Sequence, residues 1–371
     1  MKSILSVGMD VHKNSFSLCA YDGYTGEIVS ESTFASDVKL VIKFIETLKS
    51  RYENDVEIKC GYEAGCLGYS LYKSLTARGV DCVILAPTTM QVSAKNKMVK
   101  NDRMDALNIA KNLTSGSYKA VYVPDEEDVE IKEYIRMIHD FKKELKRVKQ
   151  EICAFVLRHG YQYDGKSKWT IRYMNWIREL EMSEIQRETL NEYIAEMENL
   201  NDKINRFMNR IDEMYQSERY HEKVSKLRCF KGIDTFAAMT IQVETADFER
   251  FPNAKAYASY TGLTTGEHSS GDKNNRIGIT KQGNTVIRKT LVECAQSLVK
   301  GNVYAKKSQG LKSRQKGMDV NIIAYADKAT ERLKKKYQKL IERNVPRNKA
   351  IVAVARELAC FIWGMETGNI H

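Results

Sequence analysis

Four carboxylates stand where phosphate chemistry would need them. Asp10 closes the apolar run 4–9, and Glu63 closes the run 57–62. Asp102 and Asp105 are three residues apart, a spacing that puts both on one side of a helix. Like charges gathered at one point repel unless cations neutralise them. All-oxygen ligands select hard divalent ions, Mg²⁺ or Mn²⁺. Two such ions about 4 Å apart can activate an attacking oxygen on a phosphate and stabilise the leaving one. Lys95, Lys97, Lys100 and Arg103 flank the acids and could hold phosphates beside the metals. Plainer roles fit each acid alone. Asp10 could serve a turn, Glu63 a surface loop, and Asp102 a helix N-cap with Asp105 favouring the dipole. Capping and metal binding are compatible, and the combination favours the metal site.

A second candidate lies in residues 267–284, a stretch with low hydrophobicity and several glycines. Its plain reading is a solvated basic loop. Yet Ser270 precedes Gly271 and is followed by Lys273, Arg276, Lys281 and Arg288. A serine among cations can attack a phosphodiester, because the cations stabilise the charge that develops. His268 is a possible base, but nothing in the spacing requires it, and a structural role fits a lone histidine as well.

Composition narrows the partners. The 371 residues carry 59 Lys+Arg against 48 Asp+Glu, a net charge of +11 that favours polyanions. Hydrophobic residues at 43% and charged residues at 29% suit globular domains, two or three of them at this length. Only 4 Pro and 21 Gly exclude collagen-like and Pro-rich chains. The 8 Cys are scattered through apolar stretches without a C-x-x-C pair, as expected of reduced core thiols rather than a disulfide framework or zinc site. No signal peptide and no apolar run of about 18 residues is evident, so a cytoplasmic protein with no membrane contact is expected. An actin-like ATPase also has an Asp after its first strand, but its phosphate loop needs Gly and Thr next. Here Val11, His12 and Lys13 follow.

Positioning these residues requires three parts. Residues 1–124 read as α/β: strands at 4–9, 15–21 and 27–34, a helix over 38–50, a strand at 57–62, a helix over 67–78, a strand at 81–85 and a helix over 102–113. Three hairpin-like strands followed by β/α alternation is the order of an RNase H-like sheet. Residues 125–228 carry two apolar series at steps of three and four, Ile131 to Phe155 and Leu190 to Tyr215. They predict two long helices with a coiled-coil seam, broken near 159–165 and followed by a short helix with Trp169 and Trp176. The steps do not fix whether an internal stalk or a dimer fills the seam. Residues 229–371 form a mostly α third part, with helices over 286–298, 320–343 and 348–363. Residues 230–238 have the outline of a helical hairpin that turns backbone N–H groups towards a phosphate.

Together these motifs resemble a family. Gly8-Met9-Asp10-Val11-His12-Lys13, Tyr62-Glu63-Ala64 and Asn101-Asp102-Arg103-Met104-Asp105-Ala106 are similar to the three acidic motifs of the bacterial insertion-sequence 110 transposases. Leu157-Arg158-His159-Gly160 with Trp169-Thr170 resembles their mid-chain motif. Ser269-Ser270-Gly271, residues 278–284 and Arg288 resemble their serine motif, and residues 353–359 their closing helix. The match covers nearly the whole chain, in order.

The resemblance implies a RuvC-like domain with a DEDD metal site at Asp10, Glu63, Asp102 and Asp105. It implies a C-terminal transposase domain that supplies a serine nucleophile, and Ser270, next to Gly271, fits that role better than Ser269. It further implies a homo-oligomer, dimer or tetramer, and a structured guide (bridge) RNA that pairs with donor and target double-stranded DNA. Lys100, Arg103, Lys273, Arg276, Lys281 and Arg288 are the candidate nucleic-acid contacts. The alternatives are a metal-dependent junction nuclease that uses water, and a noncatalytic nucleic-acid-binding scaffold.

Overall fold

The computed structural model describes residues 3–52, 55–91, 101–267 and 276–370. The chain divides into two compact units, Met1–Pro124 and Asp125–His371. The first unit opens with strands β1 (Ser3–Val11), β2 (Ser15–Asp22) and β3 (Ile28–Ala35). There follow α1 (Val38–Arg51), β4 (Val56–Glu63), α2 (Ser70–Thr76), β5 (Asp81–Leu85) and α3 (Asp102–Ser115). The sheet order is β3-β2-β1-β4-β5. Short turns make β1–β2 and β2–β3 antiparallel, while the crossovers through α1 and α2 make β1–β4 and β4–β5 parallel.

Alternation along β1 assigns its two faces. Leu5, Val7 and Met9 are fully buried in a core with Val41 and Ile45 of α1 and Leu71 and Leu75 of α2. Each such side chain contributes roughly 1.5–3 kcal/mol. Ser6, Gly8 and Asp10 face the other way, under α3, where the Thr114 hydroxyl donates to Ser6 Oγ at 2.9 Å. Asn101 caps α3, its side chain accepting from Met104 N, so the helix does not need Asp102 as its cap. The α2 helix starts later than its apolar pattern predicts, because Gly68 adopts a left-handed φ of 56° just before it.

The second unit is helical apart from one small hairpin. It runs α4 (Glu126–Arg158), α5 (Ile171–Glu179), α6 (Glu184–Tyr215), α7 (Glu218–Arg228), α8 (Thr235–Thr245) and α9 (Ala254–Tyr260). Strands β6 (Thr265–Glu267) and β7 (Arg276–Ile279) pair antiparallel. Then come α10 (Thr285–Leu298), α11 (Gln309–Gln315), α12 (Val320–Glu342) and α13 (Arg347–Glu366). Val148, Ile152 and Phe155 of α4 pack with Leu190, Ile194 and Met197 of α6. Ile131, Ile135 and Ile138 instead share a core with Ile211 and Tyr215 at the far end of α6, so the two helices run antiparallel. That second core includes residues of α8, α10, α12 and α13, so the seam is filled from within the chain.

Residues 229–234 join α7 to α8, and the Asp234 carboxylate caps α8, accepting from Ala237 N at 2.8 Å. Gly232, at φ 89°, is where the chain meets α10, since a Cβ there would stand 2.6 Å from Cys294 O. The loop-rich basic stretch 264–289 contains the short strands β6 and β7. Cys66 is exposed rather than a core thiol. Among the described residues, no helix is long and apolar enough to cross a membrane.

Candidate active site

Strand register carries Asp10 and Glu63 to one place. Across β1 and β4, Gly8 pairs with Gly61 and Met9 with Tyr62. One step further, Asp10, the last residue but one of β1, comes level with Glu63 at the end of β4, on strands that lie about 4.8 Å apart. Both share the parity of the two glycines and so lie on the face covered by α3. The glycines let that helix come close. A Cβ on Gly8 would stand 2.1 Å from Ala106 O and 2.3 Å from Ala110 N, and one on Gly61 would meet Leu113 Cδ2 at 2.9 Å.

The first turn of α3 thereby reaches the strand ends. His12 Nε2 lies 3.2 Å from Asp10 Oδ2 and 3.8 Å from Asp102 Oδ1. One ligand atom from each of Asp10, His12 and Asp102 fits within 4.8 Å of the others. Burial pushes the Asp10 carboxyl above its ordinary range; His12 opposes this, and the charges of Asp102 and Asp105 add to it. A partly buried carboxyl held up by burial and two like charges is relieved by a bound cation. Carboxylates with one imidazole form a donor set that suits a divalent ion. Asp105 acts at the site through its charge on Asp10, and Glu63 sits level with Asp10 on the next strand. His12 is the member that sequence reasoning missed. Its signal was the spacing of two from Asp10 at a strand end, which favours a common face.

The cations divide. Arg103 forms an ion pair with Glu31 on β3. Arg288 Nη1 donates to the carbonyls of Thr261, at 3.2 Å, and Lys281, at 3.1 Å. Lys281 is exposed, at a left-handed φ of 56°. Arg276 is described only as the first residue of β7, opposite Glu267. Lys95, Lys97, Lys100, His268, Ser269, Ser270 and Lys273 lie outside the described residues.

The start of α10 is anchored by a buried carboxylate. Asn284 caps α10, its side-chain oxygen accepting from Val286 N at 2.9 Å and Ile287 N at 3.0 Å. Its amide donates to Glu244 Oε2 at 2.7 Å. Glu244 has a fully buried side chain and also takes Arg136 Nε at 2.8 Å and Lys132 Nζ at 3.4 Å from α4. Burial raises its carboxyl, but Arg136, Lys132 and Asn284 outweigh this and hold it below its ordinary value. Gly283, at φ 119°, closes against Tyr260, whose carbonyl oxygen would lie 2.0 Å from a Cβ. Tyr260 OH in turn donates to Glu244 O at 3.1 Å. The feet of the β6–β7 hairpin are thus tied to α4, α8 and α10.

The two parts of the chain match two family models. The model of the IS110-type DEDD transposases, described as a transposase, covers residues 7–160. A second, described as "Transposase IS116/IS110/IS902 family", covers residues 224–309. By class, then, this is a DEDD transposase, an enzyme of DNA strand transfer whose acidic domain points to divalent-metal use and whose substrate is DNA. The chain is 31% identical over 366 residues to the putative transposase y4qE of Sinorhizobium fredii, covering 97% of this chain and 87% of the relative. It is 31% identical over 345 residues to the transposase for insertion sequence element IS1533 of Leptospira borgpetersenii, covering 92% and 97%. The transposase for insertion sequence element IS1111A of Coxiella burnetii is 23% identical over 336 residues, 88% of each chain. The chain belongs to the IS110 transposase family. That membership sets aside the noncatalytic scaffold.

Proposed function

We propose that this transposase is an RNA-guided, site-specific recombinase that cuts and rejoins DNA through a phosphoserine at Ser270. The observation that carries the reading is the convergence of Asp10 with Asp102 and His12 at the end of the β3-β2-β1-β4-β5 sheet. We read that sheet as a RuvC-like, RNase H-like domain over residues 1–124. We read 125–228 as a coiled-coil hairpin and 229–371 as the C-terminal transposase domain. Asp10, Glu63, Asp102 and Asp105 are the residues that would hold Mg²⁺ or Mn²⁺. Bound there, a divalent ion supplies positive charge against the charge that develops on the phosphate.

Ser270 Oγ attacks phosphorus. The Oγ–P bond forms, the P–O bond to deoxyribose breaks, the hydroxyl proton leaves and the departing oxygen takes one up. One phosphoester replaces another, so religation needs no external energy. Lys100, Lys273, Arg276 and Lys281 hold flanking phosphates. Arg103, which also pairs with Glu31, and Arg288, which also donates to backbone carbonyls, are further candidate phosphate contacts. Donor and target duplexes are chosen by pairing with a structured guide RNA, and a dimer or tetramer acting in the cytoplasm brings the two DNAs together.

The test joins two plasmids, one with the element ends and one with a target. Recombination is expected only with Mg²⁺ and RNA transcribed from the non-coding flank of the element. Product without RNA would remove the guide, and product in EDTA would remove the metal site.

A further inference from the structure

The helical hairpin holds an open pocket of about 780 Å³ that the strand-transfer reading does not use. Tyr173, fully buried, forms its floor. The Tyr163 ring lies 5.0 Å from Tyr173 and 5.1 Å from Trp176, and Trp169 lies 5.2 Å from Tyr173. Unlike Tyr173, the rings of Tyr163, Trp169 and Trp176 keep partial exposure. Trp169 sits at a φ of 65°, a backbone conformation uncommon for any residue but glycine, which turns its side chain back over α5.

Charge surrounds these rings. Lys146 and Lys149 line the pocket from α4, three residues apart and so on one face, while the Lys142 ammonium lies over the Phe236 ring. Lys168 approaches from the connection to α5. Lys149 Nζ lies 5.3 Å from the Trp169 ring centre. No carboxylate lines the pocket, and among the described residues Lys146, Lys149 and Lys168 form no ion pair. Uncompensated positive charge beside half-exposed aromatic faces is the chemistry that recognises a nucleobase with its phosphates. A duplex keeps its bases stacked inside and cannot offer one.

We propose that this pocket binds one unpaired nucleobase of single-stranded RNA. The base stacks on Trp169 and Trp176, and its neighbouring phosphates rest on Lys146, Lys149 and Lys168. RNA is chosen over DNA because the loops of a structured RNA present splayed bases without a duplex first having to be opened. The inference rests on the guide-RNA reading and names where an unpaired part of that RNA is held.

The test uses the full chain and fluorescence anisotropy with an eight-nucleotide oligouridine, the DNA oligomer of equal length and a fully paired RNA duplex. Trp169→Ala is expected to weaken oligouridine binding about tenfold, with Trp169→Phe restoring most of it. Lys149→Ala is expected to lower the salt dependence by about one phosphate contact and leave duplex binding unchanged. Oligouridine carrying 5-iodouridine should photo-cross-link within residues 161–176. Unchanged binding by Trp169→Ala in a protein that melts like wild type, or cross-links only elsewhere, would overturn the pocket. Tighter binding of the DNA oligomer would overturn the RNA assignment. Oligouridine binding here together with RNA-independent recombination would sink the guide reading and leave the pocket standing.

Discussion

Gly8 and Ala106 meet backbone to backbone: a Cβ on Gly8 would stand 2.1 Å from the Ala106 carbonyl oxygen. Any side chain there lifts α3 off β1, and α3 carries Asp102 and Asp105. Gly8→Ala is therefore expected to cost about 1–3 kcal/mol of stability, as overpacking does. It should also lower recombination at least tenfold at a temperature where the protein stays folded. Thermal melting and plasmid recombination, measured together, separate the two effects.

The acids should fail as a set. Asp10→Asn, Glu63→Gln, Asp102→Asn and Asp105→Asn keep volume and remove charge, so each should abolish recombination while binding to structured RNA persists on Lys and Arg. Asp10→Asn should melt no lower than wild type in EDTA, because burial and two like charges already disfavour the ionised Asp10. Wild-type activity in both Asp102→Asn and Asp105→Asn would leave α3 a packing element only.

Glu244 binds cations from α4 and the cap of α10 in one buried cluster. Glu244→Gln leaves Lys132 and Arg136 without their carboxylate and should cost about 3–5 kcal/mol. Asn284→Ala, which removes a cap, should cost about 1 kcal/mol. Urea unfolding of both variants checks the order.

Much of this was legible from residue types alone. The strands of the first unit follow their alternation, and Asp10, Glu63 and the Asp102–Asp105 pair follow from strand ends and a spacing of three. Other features were not, for physical reasons. Glu244 reads as one acid in an apolar helix, and its partners are distant in sequence, at 132, 136 and 284. The seam of α4 and α6 shows the right period, but only tertiary packing reveals that Ile138 joins a core with α8 and α13. A charge at Ile138 would thus test folding, not oligomerisation. Hairpin β6–β7 is three and four residues long, too short to show a period.

Glu366 gives a pH signature. Burial pushes its carboxyl up to about 7 in the folded chain. Between the unfolded value, near 4.3, and about 7, the folded state holds a proton that the unfolded state has lost. Its contribution to stability therefore falls as pH rises through that window. Glu366→Gln should remove the slope and raise stability at pH 8 by about 1–2 kcal/mol, read from melting curves at pH 5, 6, 7 and 8.

In the proposed mechanism Ser270 takes the DNA. Wild-type protein, guide RNA and Mg²⁺ are mixed with a nicked suicide substrate that lets the leaving strand diffuse away, and the products are run on a denaturing gel. A protein–DNA adduct mapping to the peptide with Ser270, retained by Ser269→Ala and absent in Ser270→Ala and Asp10→Asn, is the predicted result. Metal-dependent cleavage that never yields an adduct would contradict it and make water the nucleophile.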